Sequence, residues 1–279
     1  MGSLDSEGQY KVKGDGTFFN DGREEQLLEF VQQKCEQNPS NKTPEGVLQL
    51  VDEYGSQQKY LMNIGSKKGP IIVKLITERK PQTMVEFGSY VGYSTILFAS
   101  AVKRNGGKEY ISFERDTKFA SIAKALVELA GLGDIVRFVI GSSSKNLFVQ
   151  HGLGQLKSID MVFLDHYKPA YVRDLKICES LGLISRGTVL AADNVISPGN
   201  PSYLEYVRST VQEKKRKLDS QSEETHEKFP ERTVNQYQDV EEDDAQAPGD
   251  PNIEYNSYLV HSEEPTGEPD GIEITTRIS

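Results

Sequence analysis

From Thr83 to Ala192 the chain runs as short apolar segments alternating with helical patterns, and two of those segments, Ile159–Leu164 and residues 188–192, are apolar almost throughout. A strand with one wet face alternates apolar and polar side chains, whereas one apolar at nearly every position must be covered on both faces. Helices placed between successive strands provide that cover and leave the strands parallel. The sequence therefore predicts an α/β, doubly wound, Rossmann-like sheet. Its strands are expected at Thr83–Phe87, 108–113, 134–140, Ile159–Leu164 and 188–192, with helices at 94–104, 117–130 and 171–181. Upstream, apolar stripes at 24–35, 44–54 and 70–79 predict extra N-terminal helices, the second opened by Thr43 and Pro44, a cap and a first-turn proline. Strand character returns at 255–261 and 271–278 around Pro265-Thr266-Gly267. This predicts a C-terminal antiparallel hairpin that completes a seven-stranded, mostly parallel sheet.

The 279 residues accommodate one large domain, expected over 23–279 after a flexible tail at 1–22. Residues 213–252 hold few large apolar groups, a basic run at 214–217 and an acidic run at 241–244. Such a segment buries too little apolar area to offset its ordering entropy, so a disordered insertion is expected there. A net charge of -10 disfavours nucleic acid and anionic membranes as partners. Cys35 and Cys178 both sit in helical apolar patterns, which points to a reducing, cytoplasmic setting. No apolar run reaches bilayer-spanning length and the start is polar, so no membrane span or signal peptide is expected. Residues 1–6 match a myristoylation pattern and Asn41-Lys42-Thr43 a glycosylation sequon, but a flexible start and a missing secretory signal favour reading neither as modified. A monomer is expected.

Met84 to Ser94 reads as a strand, a glycine-bearing turn and a helix start. Gly88 and Gly92 let the backbone approach a ligand, and the helix N-terminus offers free N–H groups. The Gly-x-Gly-x-x-Gly spacing that receives a pyrophosphate is missing, and Glu86 lies within the motif, which suits a ligand bearing a positive charge or an ammonium group. Glu114 ends the next strand, where a carboxylate can accept both ribose hydroxyls; its bland alternative is a solvated strand end. Gly141-Ser142-Ser143-Ser144 ends the third strand, in reach of an adenine edge.

Two later strands end in polar clusters, Asp165-His166-Tyr167-Lys168 and Asp193-Asn194. The carboxyl ends of strands in an open α/β sheet form its ligand crevice, so both clusters are expected to converge there. Two carboxylates and an amide carbonyl are hard oxygen donors that suit Mg²⁺; zinc would call for His or Cys, and only His166 is near. Lys168, partly desolvated beside a divalent cation, can act as a general base. Singly, Asp193-Asn194 is more often a cap and Lys168 a surface charge. At neighbouring strand ends they read as one site.

At these residues the chain resembles the catechol O-methyltransferase family. The matching stretches are Gly14-Asp15-Gly16 with Arg23-Glu24, Met62-Asn63-Ile64-Gly65 with Lys67-Lys68-Gly69, Glu86 to Ser94, Met161 to His166, Lys168, and Gly187 to Gly199. The resemblance implies an S-adenosylmethionine- and Mg²⁺-dependent O-methyltransferase acting on a small catechol-type molecule. It makes Asp165, Asp193 and Asn194 the metal ligands and Lys168 the base. Met62, Ile64, Glu86, Gly88, Tyr90, Ser94, Glu114, Arg115, Ser143 and Asp165, with the adjoining His166 and Tyr167, become the implied cofactor contacts. Tyr60, Tyr167 and Pro198 are implied as walls of the substrate site, where the family usually has Trp at the first two positions; Met62, Lys168 and Asn194 border it as well. Glu264, or its neighbour Glu263, is the implied partner of the second catechol hydroxyl. Rival readings are transfer to another vicinal diol or enol, a non-catalytic S-adenosylmethionine-binding protein of the same fold, and, opposed by the missing glycine motif, a nicotinamide oxidoreductase.

Overall fold

The structure is a computed structural model that describes residues 19–219 and 245–279. Among the described residues seven strands, β1 (Thr83–Phe87), β2 (Glu109–Glu114), β3 (Val136–Ile140), β4 (Ile159–Leu164), β5 (Ile184–Ala192), β6 (Tyr255–Glu263) and β7 (Pro269–Arg277), form one mixed sheet in the order β3-β2-β1-β4-β5-β7-β6. β1 pairs in parallel with β4, Met84 facing Met161 and Phe87 facing Leu164; β4 pairs in parallel with β5, and β5 antiparallel with β7. The expected Rossmann-like sheet, with its terminal hairpin and added N-terminal helices, is the observed one. Its order reverses between β1 and β4, so the carboxyl ends of these two strands flank the switch point at which such sheets hold ligands.

The chain divides into two compact units. The first comprises residues up to Gln82, Ser89–Gly141 and Ser262–Pro269. It holds helices α1 (Arg23–Gln37), α2 (Pro44–Gln57), α3 (Gly65–Arg79), α4 (Tyr93–Arg104) and α5 (Thr117–Leu129) with β2 and β3. Its core comes from the apolar stripes: Leu27 and Val31 of α1, Val47 and Val51 of α2, Ile72 and Ile76 of α3, and Ile96 of α4 are all fully buried. Thr43 caps α2 by accepting the Gly46 N–H, and Pro44 begins its first turn, as the letters indicate.

The second unit comprises Thr83–Gly88, Ser142–His261 and Asp270–Ser279. Around β1, β4 and β5 it carries α6 (Ser143–Gly152), α7 (Ala170–Ser180), α8 (Pro201–Arg208) and α9 (Val211–Asp219). Three of these lie outside the helices that periodicity predicts. α6 begins within Gly141-Ser142-Ser143-Ser144, which the sequence marks only as the end of the third strand. α8 is announced only by its cap, Asn200 accepting the Tyr203 N–H ahead of Pro201. α9 lies where the disordered insertion is expected to begin, so its residues correct that boundary. Thr210 and Glu213 close a capping box, the Thr210 N–H donating to Glu213 Oε2 at 2.8 Å and Thr210 Oγ1 accepting the Glu213 N–H at 3.3 Å. Lys214, which the sequence places in a solvated charge run, is buried. It donates to the Ile253 carbonyl at 3.1 Å and lies over the Tyr206 and Tyr255 rings at 4.7 and 4.4 Å. Further along the chain, Asp250 returns to α7 through its N–H to Glu179 Oε2 (3.0 Å). The remainder of the expected insertion, 220–244, and the tail to residue 18, with Gly14-Asp15-Gly16 and the myristoylation pattern, lie outside the described residues. Among the described residues no helix is long and apolar enough to cross a membrane.

Candidate active site

In the second unit the hydrogen-bond ladder runs one residue past the strands. The Asp165 N–H donates to the Phe87 carbonyl (3.0 Å) and the Asp193 N–H to the Leu164 carbonyl (2.9 Å), which sets Gly88, Asp165 and Asp193 side by side at the carboxyl ends of β1, β4 and β5. Here Gly88 is obligatory. Its φ is +88°, and a Cβ would lie 2.7 Å from the Asp165 carbonyl oxygen and 2.9 Å from the His166 Cα. Gly88→Ala is expected to force the turn open. The left-handed penalty alone, about 1–2 kcal/mol, falls on the fold whether or not a ligand is bound and predicts a melting temperature lower by roughly 2–8 °C. An unchanged melting temperature would show that the turn accepts a side chain at this position.

Lys168, on the turn into α7, is buried and saturates its three donors: Asp165 Oδ1 at 3.1 Å, Tyr171 Oη at 2.8 Å and Asn194 Oδ1 at 2.8 Å. Tyr171 Oη in turn donates to the Asp193 carbonyl at 3.3 Å, and burial, with Asp165 and Asp193 nearby, pushes its hydroxyl pKa well above the ordinary value. Asn194 adopts a left-handed conformation (φ 57°), its N–H on Asp193 Oδ1 at 2.9 Å and its amide Nδ2 on Asp270 Oδ2 at 3.0 Å. The structure thus brings Asp165, Lys168, Asp193 and Asn194 together, and adds Tyr171 and Asp270, which local sequence pattern marks only as core and turn.

An ammonium placed between Asp165 Oδ1 and Asn194 Oδ1 is a cation held by two of the oxygens expected to hold a metal, and the donor set suits that role. Among the described residues no three His, Cys, Asp or Glu side chains converge as a metal-holding group. Two carboxylates and one amide leave positions for water or substrate oxygens, which is the Mg²⁺ habit rather than the Zn²⁺ one.

His166 does not belong to this set. Its ring stacks on Tyr171 (centroids 4.9 Å, 9° between planes), and its Nε2 lies 3.0 Å from Asp174 Oδ2. Burial pushes the imidazole below its ordinary pKa against the pull of Asp174, so the neutral ring donates through Nε2. Its Nδ1 is buried without a partner in the described residues. Asp174 also accepts the Ser143 hydroxyl, so that group, expected at the adenine edge, is engaged within the protein. Tyr167 is half-buried, and Pro198, after a cis peptide bond, is exposed. Glu86 is fully buried in β1.

The first unit holds the continuation of the glycine turn. Glu114 Oε2 accepts the N–H groups of Ser89 and Tyr90, both at 2.9 Å, and the Ser89 hydroxyl at 3.2 Å, while Oε1 accepts the Asp116 N–H at 2.9 Å. The carboxylate expected to hold a ribose therefore clasps the turn itself, and burial raises its pKa against those donors. Tyr90, at φ 48°, donates its hydroxyl to Glu24 at 2.8 Å, and Arg23 Nη1 donates to the Tyr60 carbonyl at 2.7 Å. Arg23-Glu24 thus anchors two expected site residues, a link that local sequence pattern leaves without a role. Ile64 and Ser94 are buried; Tyr60, Met62 and Arg115 are half-buried. Glu264, expected against the substrate, pairs at 2.5 Å with the fully buried Lys68, and Glu263 pairs with Lys67.

A doubly wound sheet of this order, with a glycine turn after β1, an acid ending β2 and polar ends on β4 and β5, defines the class I S-adenosylmethionine-dependent methyltransferases. A family model described as a methyltransferase domain matches residues 85–195. The chain is 37% identical over 188 residues to the catechol O-methyltransferase of Mus musculus, the alignment covering 67% of this chain and 69% of that one. To the Bos taurus protein of the same name it is 36% identical over 186 residues, covering 67% of this chain and 66% of the bovine one. The O-methyltransferase of Bacillus cereus, solved in complex with SAH, shares the fold at a TM-score of 0.54 and 19% identity, over 91% of this chain and 99% of that one. The chain belongs to the catechol O-methyltransferase family.

Proposed function

We propose that this protein transfers a methyl group from S-adenosylmethionine to one hydroxyl of a catechol-type molecule, with Mg²⁺ at Asp165, Asp193 and Asn194 and Lys168 as the base. The observation that carries the reading is the buried Lys168 ammonium between Asp165 and Asn194 at the ends of β4 and β5. A divalent ion held by these oxygens would supply the charge that makes a diol oxygen easier to deprotonate. With such an ion in the ammonium's place against Asp165 and Asn194, Lys168 would release one proton to solvent; Nζ, as the free amine, would take the hydroxyl proton, and the oxygen lone pair would form the new O–C bond as the sulfonium C–S bond breaks. Tyr171 and Asn194 fix where that nitrogen stands, so alignment needs little further ordering. Pro198, on the turn after Asn194, is proposed as an apolar wall for the ring, with Tyr167 as an aromatic one. For the cofactor, the support is the Gly88 turn, buried Glu86 and the Glu114 clasp on the Ser89–Tyr90 backbone.

A turnover panel tests the substrate class. With S-adenosylmethionine and Mg²⁺, catechols should be methylated once, while phenol and anisole-type analogues with a single oxygen should not react. Equal turnover of catechol and phenol would remove the chelated-diol reading. Preference for a non-aromatic enediol would move the substrate to that class.

A further inference from the structure

Asp270 lies near the start of β7 and is buried at 1% exposure, yet it belongs to none of the groups the sequence marks as functional. Its Oδ2 accepts the Asn194 amide Nδ2–H at 3.0 Å, and its Oδ1 accepts the N–H groups of Ile196 (3.2 Å) and Ser197 (2.9 Å). On its other side the Asn194 amide accepts from Lys168 Nζ at 2.8 Å. A carboxylate only accepts and an ammonium only donates, so the amide between them can lie one way: NH₂ toward Asp270, carbonyl oxygen toward Lys168. An amide turned over would point its NH₂ at the place where a cation is to be held. The same carboxylate ties down the turn of residues 196–198 that carries Pro198.

We propose that Asp270 is a positioning residue for the metal site: it holds the Asn194 carbonyl oxygen toward the cation and fixes the adjoining Pro198 turn. This rests on the metal-dependent reading above. An outer partner that orients a metal ligand typically changes metal affinity about 10–100-fold when removed. In Asp270→Asn the new amide keeps an oxygen for the two backbone N–H groups and sets its NH₂ against that of Asn194, which turns Asn194 over. Pairing it with Asn194→Asp removes the conflict. The amide introduced at position 270 then donates to one oxygen of the carboxylate introduced at position 194, and the other oxygen faces the cation.

The test is Mn²⁺ binding to the full chain, followed by the loss of the free Mn²⁺ electron paramagnetic resonance signal, with S-adenosylmethionine affinity and thermal melting measured alongside. Asp270→Asn should bind Mn²⁺ about 10–100-fold more weakly while its cofactor affinity stays at the wild-type value. The double variant, Asp270→Asn with Asn194→Asp, should bind Mn²⁺ at least as tightly as Asn194→Asp alone, whereas a purely structural role for Asp270 would repeat the Asp270→Asn loss in that background. Wild-type Mn²⁺ affinity in Asp270→Asn, or a double variant weaker than Asn194→Asp, would overturn the positioning role alone. Failure of the wild type to bind Mn²⁺ would overturn the metal reading and this inference with it.

Discussion

Lys168→Ala is expected to bind S-adenosylmethionine as the wild type does and to lose nearly all turnover. A positioned general base is worth about 10²–10⁴ in rate, and the loss is expected toward the upper end because Lys168 also holds two proposed metal ligands. The alanine leaves Asp165 Oδ1, Tyr171 Oη and Asn194 Oδ1 without their common donor. Each such loss costs about 1–3 kcal/mol of stability, so kcat must be compared below the melting range. Lys168→Arg separates the two contributions. Arginine keeps the positive charge beside Asp165 but does not give up its proton, so it should restore stability and not rate. A wild-type kcat in either variant would remove Lys168 from the base role; a restored melting temperature with activity still absent would assign the lost rate to proton transfer.

The parts of this site that could be read in the sequence are those written by strand ends. The apolar runs Ile159–Leu164 and 188–192 say where two parallel strands stop, and the polar letters that follow, Asp165 to Lys168 and Asp193-Asn194, then fall at one edge of the sheet. What could not be read depends on pairing between distant segments. Asp270 meets Asn194 across 76 positions, and before a glycine it has the local look of a turn. Tyr171 occupies a helical apolar pattern, and nothing local marks its hydroxyl as the rest for Lys168 Nζ. Glu114 was legible as an acid at a strand end but not as the clasp of the Ser89–Tyr90 turn, since the donors come from 24 and 25 residues upstream. The short helices α8 and α9 had signals of their own in Asn200-Pro201 and Thr210 to Glu213; caps without an apolar stripe were too little to announce them against a charged background.

The second large effect concerns the metal. Activity should vanish in EDTA, return with Mg²⁺, and stay absent in Asp193→Ala at any Mg²⁺ concentration. Asp193 is buried at 1% exposure, and its Oδ1 accepts the N–H of Asn194. Its removal therefore takes away one hard oxygen donor and also loosens the left-handed Asn194 that supplies another. With only Asp165 left in a defined place, an ion that gives up its water reluctantly has too few protein oxygens to hold it. Asp193→Asn sharpens the result. It preserves the shape and the bond to the Asn194 N–H while removing one of the two carboxylate charges at the site, so Mg²⁺ should bind weakly and high concentrations should recover part of the rate. Such graded behaviour, dead for alanine and rescued by added Mg²⁺ for asparagine, is what a ligand role predicts. Activity in Asp193→Ala without metal, or a wild-type enzyme indifferent to EDTA, would leave the cluster as a structural network around Lys168, and methyl transfer would then rest on that base and on alignment alone.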